Sequence, residues 1–252
     1  MKTALITGAS SGIGRATAVA LAQAGFRLVI TGRRRERLEE LAAQLSGTPV
    51  HLLTFDVRDR SAVLAAVAAL PEEFRNVDVL VNNAGNAHGL APIQSGDPSD
   101  WDLMLDSNVR GLLNVTHAVL PVMQERRSGF IVNIGSIAGH EAYANGNVYC
   151  ASKAAVASLS KGMRLDLISL GIRVAEVNPG AVETEFSEVR FKGDTERAAG
   201  VYKGFEPLRP EDVAEVIQFM VTRPPHVTIS EVTILAGAQA AATTIVKQPT
   251  QA

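Results

Sequence analysis

The sequence predicts a single doubly wound α/β domain, with a seven-stranded parallel sheet and helices on both faces, on three observations. Seven short runs rich in β-branched residues, at 3–7, 27–31, 50–55, 77–81, 130–134, 172–177 and 227–235, alternate with helix-length Ala/Leu-rich segments, the pattern of repeated βαβ units. The first run leads through a glycine-rich turn into a helical run at 15–24. Polar and glycine residues gather directly after the strand runs. Right-handed crossovers put every strand's C-terminal end on one edge of the sheet, and open α/β sheets bind ligands at that edge.

Bulk properties agree with one domain. A chain of 252 residues with 46% hydrophobic content can bury a sizeable core, and no composition shift marks an internal boundary. A net charge of −2 points away from nucleic acid as a partner. The single cysteine, Cys150, excludes an intrachain disulfide and fits a reducing compartment. It is read as a packed helix residue, with alkylation beside Tyr149 as the alternative. The first residues lack a charged region followed by a long apolar run, and nowhere do 18 apolar residues follow one another. A soluble, cytoplasmic protein with no membrane partner and no metal site is expected.

Taken in order, the first strand ends in Thr7-Gly8-Ala9-Ser10-Ser11-Gly12-Ile13-Gly14. Glycines there let the backbone turn tightly and approach a pyrophosphate, which the free N–H groups and dipole of the next helix stabilise. The second strand ends in Thr31-Gly32-Arg33-Arg34-Arg35, with no acid before Glu36. An NAD site of this fold carries an acid about 20 residues past the glycines, whereas an NADP site has a nearby arginine for the 2′-phosphate. Arg33 and Arg34 therefore predict NADP. Cations in a helix's first turn are disfavoured by its dipole, so an anion should offset their cost.

The third strand closes with Phe55-Asp56-Val57, and Asp59 or Ser61 caps the helix at 62–70. Asp56 is placed to accept from an adenine amino group, although a turn aspartate looks the same. The fourth strand runs into Asn82-Asn83-Ala84-Gly85, which suits a tight backbone path beside a ligand or an ordinary turn. A long helix opens at Pro98-Ser99-Asp100, with Trp101, Met104, Leu105, Leu112, Leu113, Val119 and Met123 on its apolar side. Asn108 interrupts it. An asparagine amide competes for backbone partners, so a polar break in a long helix is either exposed or functional.

The fifth strand delivers Gly135-Ser136, and a helix carrying Tyr149 and Lys153 continues to about 170. Tyr149 and Lys153 stand at i and i+4, with Cβ atoms roughly 5–6 Å apart on one face. A neighbouring ammonium favours the phenolate and should lower the tyrosine's pKa. Tyr149 can then exchange a proton with a substrate hydroxyl whose oxygen Ser136 also holds. A lone Tyr-x-x-x-Lys is more often a core tyrosine beside a solvated lysine; the other constellations overturn that reading here.

The sixth strand delivers Asn178-Pro179-Gly180-Ala181-Val182-Glu183-Thr184. The segment 181–210, without convincing periodicity, is longer than a passive loop and reads as a substrate lid. It contains Glu183, Glu185, Arg190, Phe191, Lys192 and Asp194. Arg190 is the first choice for a substrate carboxylate and Lys192 the second, because a guanidinium pairs both oxygens in its plane. Pro210-Glu211-Asp212 start the last helix, to about 222. The apolar tail, 236–252, is expected in a subunit interface.

The combination resembles the short-chain dehydrogenase/reductase family over the whole chain. Thr7–Gly14 is similar to its nucleotide turn, Asn82–Gly85 to its Asn-Asn-Ala-Gly motif, and Asn108, Ser136, Tyr149 and Lys153 to its catalytic four in order. The resemblance implies a Rossmann domain with Tyr149 as general acid/base, Ser136 polarising the substrate oxygen, Lys153 bonding the nicotinamide ribose, and Asn108 supporting a proton path through water. It also implies that Gly8, Ser10, Ile13, Asp56, Val57, Asn83, Gly85, Pro179, Gly180, Val182 and Thr184 touch the cofactor, with Ser11, Gly12 and Ala84 in the same turns.

A narrower resemblance rests on Thr31-Gly32-Arg33-Arg34, Gly146-Asn147-Val148-Tyr149, Thr184-Glu185-Phe186-Ser187 and Val189-Arg190-Phe191-Lys192-Gly193-Asp194. These are similar to the branch of tetrameric NADP-dependent 3-hydroxy acid dehydrogenases acting on serine, allo-threonine and semialdehydes. The chain departs from that branch in its tail and at Asn178. The alternatives are a generic NADPH carbonyl or 3-ketoacyl reductase, and a redox-sensing protein that would have no use for Ser136, Tyr149 and Lys153 in register.

Overall fold

The seven apolar runs form strands β1 (Thr3–Ile6), β2 (Arg27–Gly32), β3 (Val50–Thr54), β4 (Val77–Asn82), β5 (Gly129–Ile134), β6 (Ile172–Pro179) and β7 (Glu231–Ile234). In the computed structural model, which describes residues 1–247, they make one sheet in the order β3-β2-β1-β4-β5-β6-β7, and every neighbouring pair is parallel. Successive side chains of a strand point to opposite faces, and here both faces are covered. Ala4, Ile6, Leu28, Ile30, Phe130, Val132, Ala175 and Val177 enter one core; Leu5, Val29, Ile131, Ile172 and Val174 enter the other. Continuous apolar runs rather than alternation are what such a buried parallel sheet requires.

In chain order the helices are α1 (Gly12–Gln23), α2 (Arg35–Gln44), α3 (Arg60–Ala68), α4 (Glu72–Arg75), α5 (Pro98–Leu105), α6 (Gly111–Arg126), α7 (Asn147–Leu167), α8 (Phe186–Arg190), α9 (Thr195–Tyr202) and α10 (Pro210–Val221). Leu21 of α1, Leu38 and Leu41 of α2, and Val213, Ile217 and Met220 of α10 close the first core. Val63 and Val67 of α3, Val115, Val119 and Met123 of α6, and Leu167 of α7 close the second. The chain winds outward in both directions from β1, so the crevice between the ends of β1 and β4 is the topological switch point where such sheets bind ligands.

Several local expectations are refined. Asp59 rather than Ser61 caps α3, its Oδ1 accepting from the Ala62 amide at 3.0 Å. Arg34 is the N-cap of α2, so Arg33 and Arg34 precede that helix instead of filling its first turn. The final strand spans only Glu231–Ile234, because an edge strand pairing with β6 alone is half exposed and gains little by extension. Leu105 and Leu113, assigned to an apolar face, are 41% and 39% exposed.

Two differences bear on function. The break at Asn108 is a π-helical turn, Asp106–Arg110, which joins α5 to α6 and buries Asn108; π turns of this kind favour functional sites. The segment 181–210 carries α8 and α9, the latter capped by Asp194, which accepts from the Arg197 amide at 3.0 Å. Both helices are short, and Lys192 and Gly193 between them have positive φ, so no helical period builds up in the sequence. Part of the tail predicted for an interface, 248–252, lies outside the described residues. The described part folds back on its own chain: the Gln239 side chain accepts from the Ala181 amide at 2.9 Å, and the Ala242 amide donates to Glu141 at 2.8 Å. Among the described residues no helix is long and apolar enough to cross a membrane.

Candidate active site

Every predicted site residue except Asn108 and the second-choice Lys192 lines one cleft of about 510 Å³ at the C-terminal edge of the sheet. Its floor begins at the turn after β1. Gly8 and Gly12 have φ of +66° and +51°, where a side chain would be strained. A Cβ on Gly14 would come within 2.4 Å of the Asn83 amide and 2.5 Å of the Gly8 carbonyl. Asn83 is the strut of this turn: its Nδ2 donates to the Thr7 carbonyl at 2.8 Å, while the Asn83 and Ala84 amides donate to Thr7 Oγ1 at 3.0 and 2.9 Å. The start of α1 is left open to the cleft, since its N-cap Ser11 makes no side-chain cap and its first turn holds no acid. Those unfilled N–H groups suit an anion.

At the end of β2, Arg34 donates to Ser10 Oγ and Ser11 Oγ at 3.2 and 3.1 Å and pairs with Glu185 at 3.1 Å. Arg37 pairs with the other Glu185 oxygen, so this acid ties the segment after β6 to α2 across the mouth. Arg33, exposed on the rim, makes no ion pair among the described residues. Asp56 receives both Nε and Nη2 of Arg58, which holds its carboxyl below the usual range. Glycine turn, open helix start, rim arginines and cleft volume together fit a dinucleotide carrying an extra phosphate.

The far end holds the chemistry. Ser136 is oriented by Asn178, whose Oδ1 accepts from the Ser136 amide at 3.0 Å, and its own Oγ accepts from the Ala138 amide at 3.1 Å. Lys153 is buried and donates to the Ile134 carbonyl at 2.8 Å. Tyr149 is buried with the Phe186 ring tilted against it at 5.6 Å. Burial pushes the Tyr149 hydroxyl up, with Tyr143 adding to it, while Ser136 and Arg190 pull it down. The net direction is upward, because burial outweighs the lowering that the spacing of Tyr149 and Lys153 predicts. Lys153 itself is turned to the Ile134 carbonyl, and burial brings its ammonium down to about 8. Tyr149 therefore holds its proton at neutral pH, the state a donor needs.

Asn108 sits one layer behind the cleft. Its Oδ1 accepts from the Asn86 amide at 2.8 Å, and its Nδ2 donates to the Asn86 carbonyl at 2.8 Å and to Ser152 Oγ at 3.0 Å. Lys192 also lies outside: it pairs with Asp100 at 3.0 Å and Asp97 at 3.7 Å, away from the cleft lining. Arg190 does line it. Its Nη2 donates to Tyr143 Oη at 2.7 Å, its guanidinium lies 5.4 Å from the Tyr149 ring centre, and its buried Nε has no partner among the described residues. The helix-ending Arg190 is pinned by its own carbonyl, which accepts from the Gly89 amide at 2.9 Å.

Sequence reasoning missed Tyr143, Phe186 and Gln239 as lining residues. Tyr143 lies in an irregular loop and Gln239 in the tail, where no periodicity assigns a direction. Phe186 stood inside a quoted motif, but only the packing of α8 against α7 turns its ring onto Tyr149.

This cleft, on this fold, defines a nucleotide-dependent oxidoreductase. A family model described as short chain dehydrogenase matches residues 2–195, and the chain belongs to that family. It is 48% identical over 238 residues to sulfoacetaldehyde reductase 2 of Chromohalobacter salexigens, with 94% of each chain covered. It is 44% identical over 233 residues to serine 3-dehydrogenase of Rhizobium radiobacter, covering 92% of this chain and 93% of that one. The closed form of a serine dehydrogenase complexed with NADP+ superposes with a TM-score of 0.93 at 43% identity, over 98% of this chain and 100% of that chain.

Proposed function

We propose that this chain transfers a hydride between NADP(H) and the carbinol or carbonyl carbon of a small 3-hydroxy acid, of the serine, allo-threonine, 3-hydroxyisobutyrate or malonic semialdehyde type. Arg190 carries the substrate class: a cation without an acidic partner among the described residues, lining the cleft beside the tyrosine that handles the proton. Serine and sulfoacetaldehyde, after which relatives of this chain are named, both place an anionic group near the reacting carbon. Such a group would meet the Arg190 donors that Tyr143 leaves unused.

When bound, the cofactor supplies or accepts the hydride. In this reading Gly8, Ser10, Ser11, Gly12 and Ile13 hold its pyrophosphate against α1, and Arg33 and Arg34 take the 2′-phosphate. Asp56, Val57, Asn83, Ala84 and Gly85 flank the adenosine half; Lys153, Pro179, Gly180, Val182 and Thr184 serve the nicotinamide half. Ser136 holds the substrate oxygen and Tyr149 gives or takes its proton. Asn108 orders the Asn86 peptide and Ser152 behind them and supports the proton path. The segment 181–210 serves as the lid.

The test is NADP-coupled turnover of a set of small 3-hydroxy acids, with sulfoacetaldehyde and bulky ketones as rival arms. The 3-hydroxy acids are expected to lead in kcat/KM; bulky ketones in that place would make the chain a general carbonyl reductase. Within the same assay Arg33→Ala should lower kcat/KM with NADP by about tenfold, the scale of a lost charge-assisted hydrogen bond, and leave NAD unaffected. Equal use of both cofactors by the native chain would contradict the 2′-phosphate assignment.

The proposal includes a reducing, cytoplasmic setting, supported by the single buried Cys150, and a closed homotetramer. Leu165 and Ile168 at the end of α7, Leu105 and Leu113 around the π turn, and Val246 of the tail are exposed, and a symmetric assembly would cover them. Light scattering at micromolar concentration should give four times the chain mass; a monomer would refute this part of the proposal.

A further inference from the structure

Glu176 is a buried carboxylate that the reaction described above does not use. It lies mid-strand in β6, 1% exposed, and neither of its oxygens has a hydrogen-bond partner among the described residues. An unpaired acid is costly in such a place, and an apolar residue there would serve the sheet better. Its surroundings are specific. A Cβ on Gly135 would come within 2.3 Å of Glu176 Oε1 and 2.1 Å of Asn178 Oδ1, so β6 sends two polar groups beneath the turn that carries Ser136. The Asn178 oxygen orients Ser136 directly. Lys153 reaches the same turn from α7, donating to the carbonyl of Ile134, the residue before Gly135, and the charges acting on Glu176 are those of Lys153 and Lys161 from α7, Glu231 from β7, and His140 from the turn after β5. Glu231 stands opposite Glu176 in the strand register and lies 3.5 Å from His140. Glu176 is the carboxylate whose charge acts on Lys153.

We propose that Glu176 is a positioning residue for the reaction: packed under the Gly135-Ser136 turn and facing Lys153, its carboxylate keeps the buried lysine charged. The inference rests on the proposed role of Lys153 at the ribose and beside Tyr149. Burial draws Lys153 down to about 8 even with Glu176 pulling it up. Glu176 is itself pushed up by burial and by Glu231, and drawn back by His140, Lys153 and Lys161. The sign follows. Lys153 loses its proton as pH rises, and without the carboxylate it does so at lower pH.

The experiment compares the native chain with Glu176→Gln and Glu176→Asp by the pH dependence of NADPH affinity, read from cofactor fluorescence, and of kcat/KM on a small 3-hydroxy acid. In Glu176→Gln the alkaline limb of both profiles should move down by about one pH unit, the low end of the effect of a nearby opposite charge. Glu176→Asp, which keeps the charge, should stay close to native. Superimposable profiles overturn the inference, as does an Asp variant displaced as far as the Gln variant. A Gln variant that fails to fold also overturns it, because the charge would then serve the fold and not the lysine. The binding profile does not depend on the substrate: a native chain that binds NADPH but turns over no 3-hydroxy acid refutes the proposed function, and the binding limb alone then decides the role of Glu176.

Discussion

Tyr149→Phe is expected to lose about 10²–10⁴-fold in kcat, the usual contribution of a positioned general acid or base, while NADPH affinity stays within about twofold. The substitution keeps the ring that Phe186 and Arg190 pack against and removes only the proton donor. The pH profile of the native chain should distinguish the two directions. Burial raises the Tyr149 pKa, so below that pKa the phenol is protonated and reduction proceeds through neutral pH. Oxidation needs the phenolate and should speed up as pH rises, until Lys153 loses its charge above about 8. A Tyr149→Phe chain with most of the native kcat, or an oxidation rate that falls steadily from pH 6 to 8, would contradict the assignment.

Arg190→Ala has the second largest expected effect, and it should be selective. A desolvated cation facing an anion is worth more than an exposed pair, and truncating one partner of such a pair costs about 2–4 kcal/mol, or roughly 30- to 1,000-fold at 1.4 kcal/mol per decade. That loss should fall on kcat/KM for a 3-hydroxy acid and spare its methyl ester to within about threefold. Two observations support Arg190 as the proposed reader: its buried Nε has no partner among the described residues, and Lys192 is committed to Asp97 and Asp100. Equal losses on acid and ester would make Arg190 a structural residue that holds Tyr143 and the lid.

Much of this site was legible in the sequence because the fold converts chain position into space. Residues after parallel strands must share one edge, so Gly8–Gly14, Arg33, Arg34, Asp56, Asn83–Gly85, Ser136 and Gly180 come together without any knowledge of side-chain direction. The helical period put Tyr149 and Lys153 on one face in the same way. What stayed hidden depends on direction and burial. Sequence ranks Arg190 above Lys192 on the chemistry of the guanidinium alone; which of the two faces the cleft is not legible two residues apart in a segment of short helices with positive φ between them. The spacing of Tyr149 and Lys153 predicts a lowered phenol, whereas desolvation, which spacing does not report, is the leading influence and raises it. Asn108 was legible as an anomaly, but its place one layer behind the cleft follows from the π turn that buries it.

The central claim joins a proton donor, an anion reader and a phosphate-bearing cofactor in one cleft, and one comparison addresses all three: NADP-coupled kcat/KM of the native chain on a small 3-hydroxy acid and on its methyl ester. The account predicts turnover of both, with the acid preferred by at least tenfold. An ester used as well as the acid would contradict it.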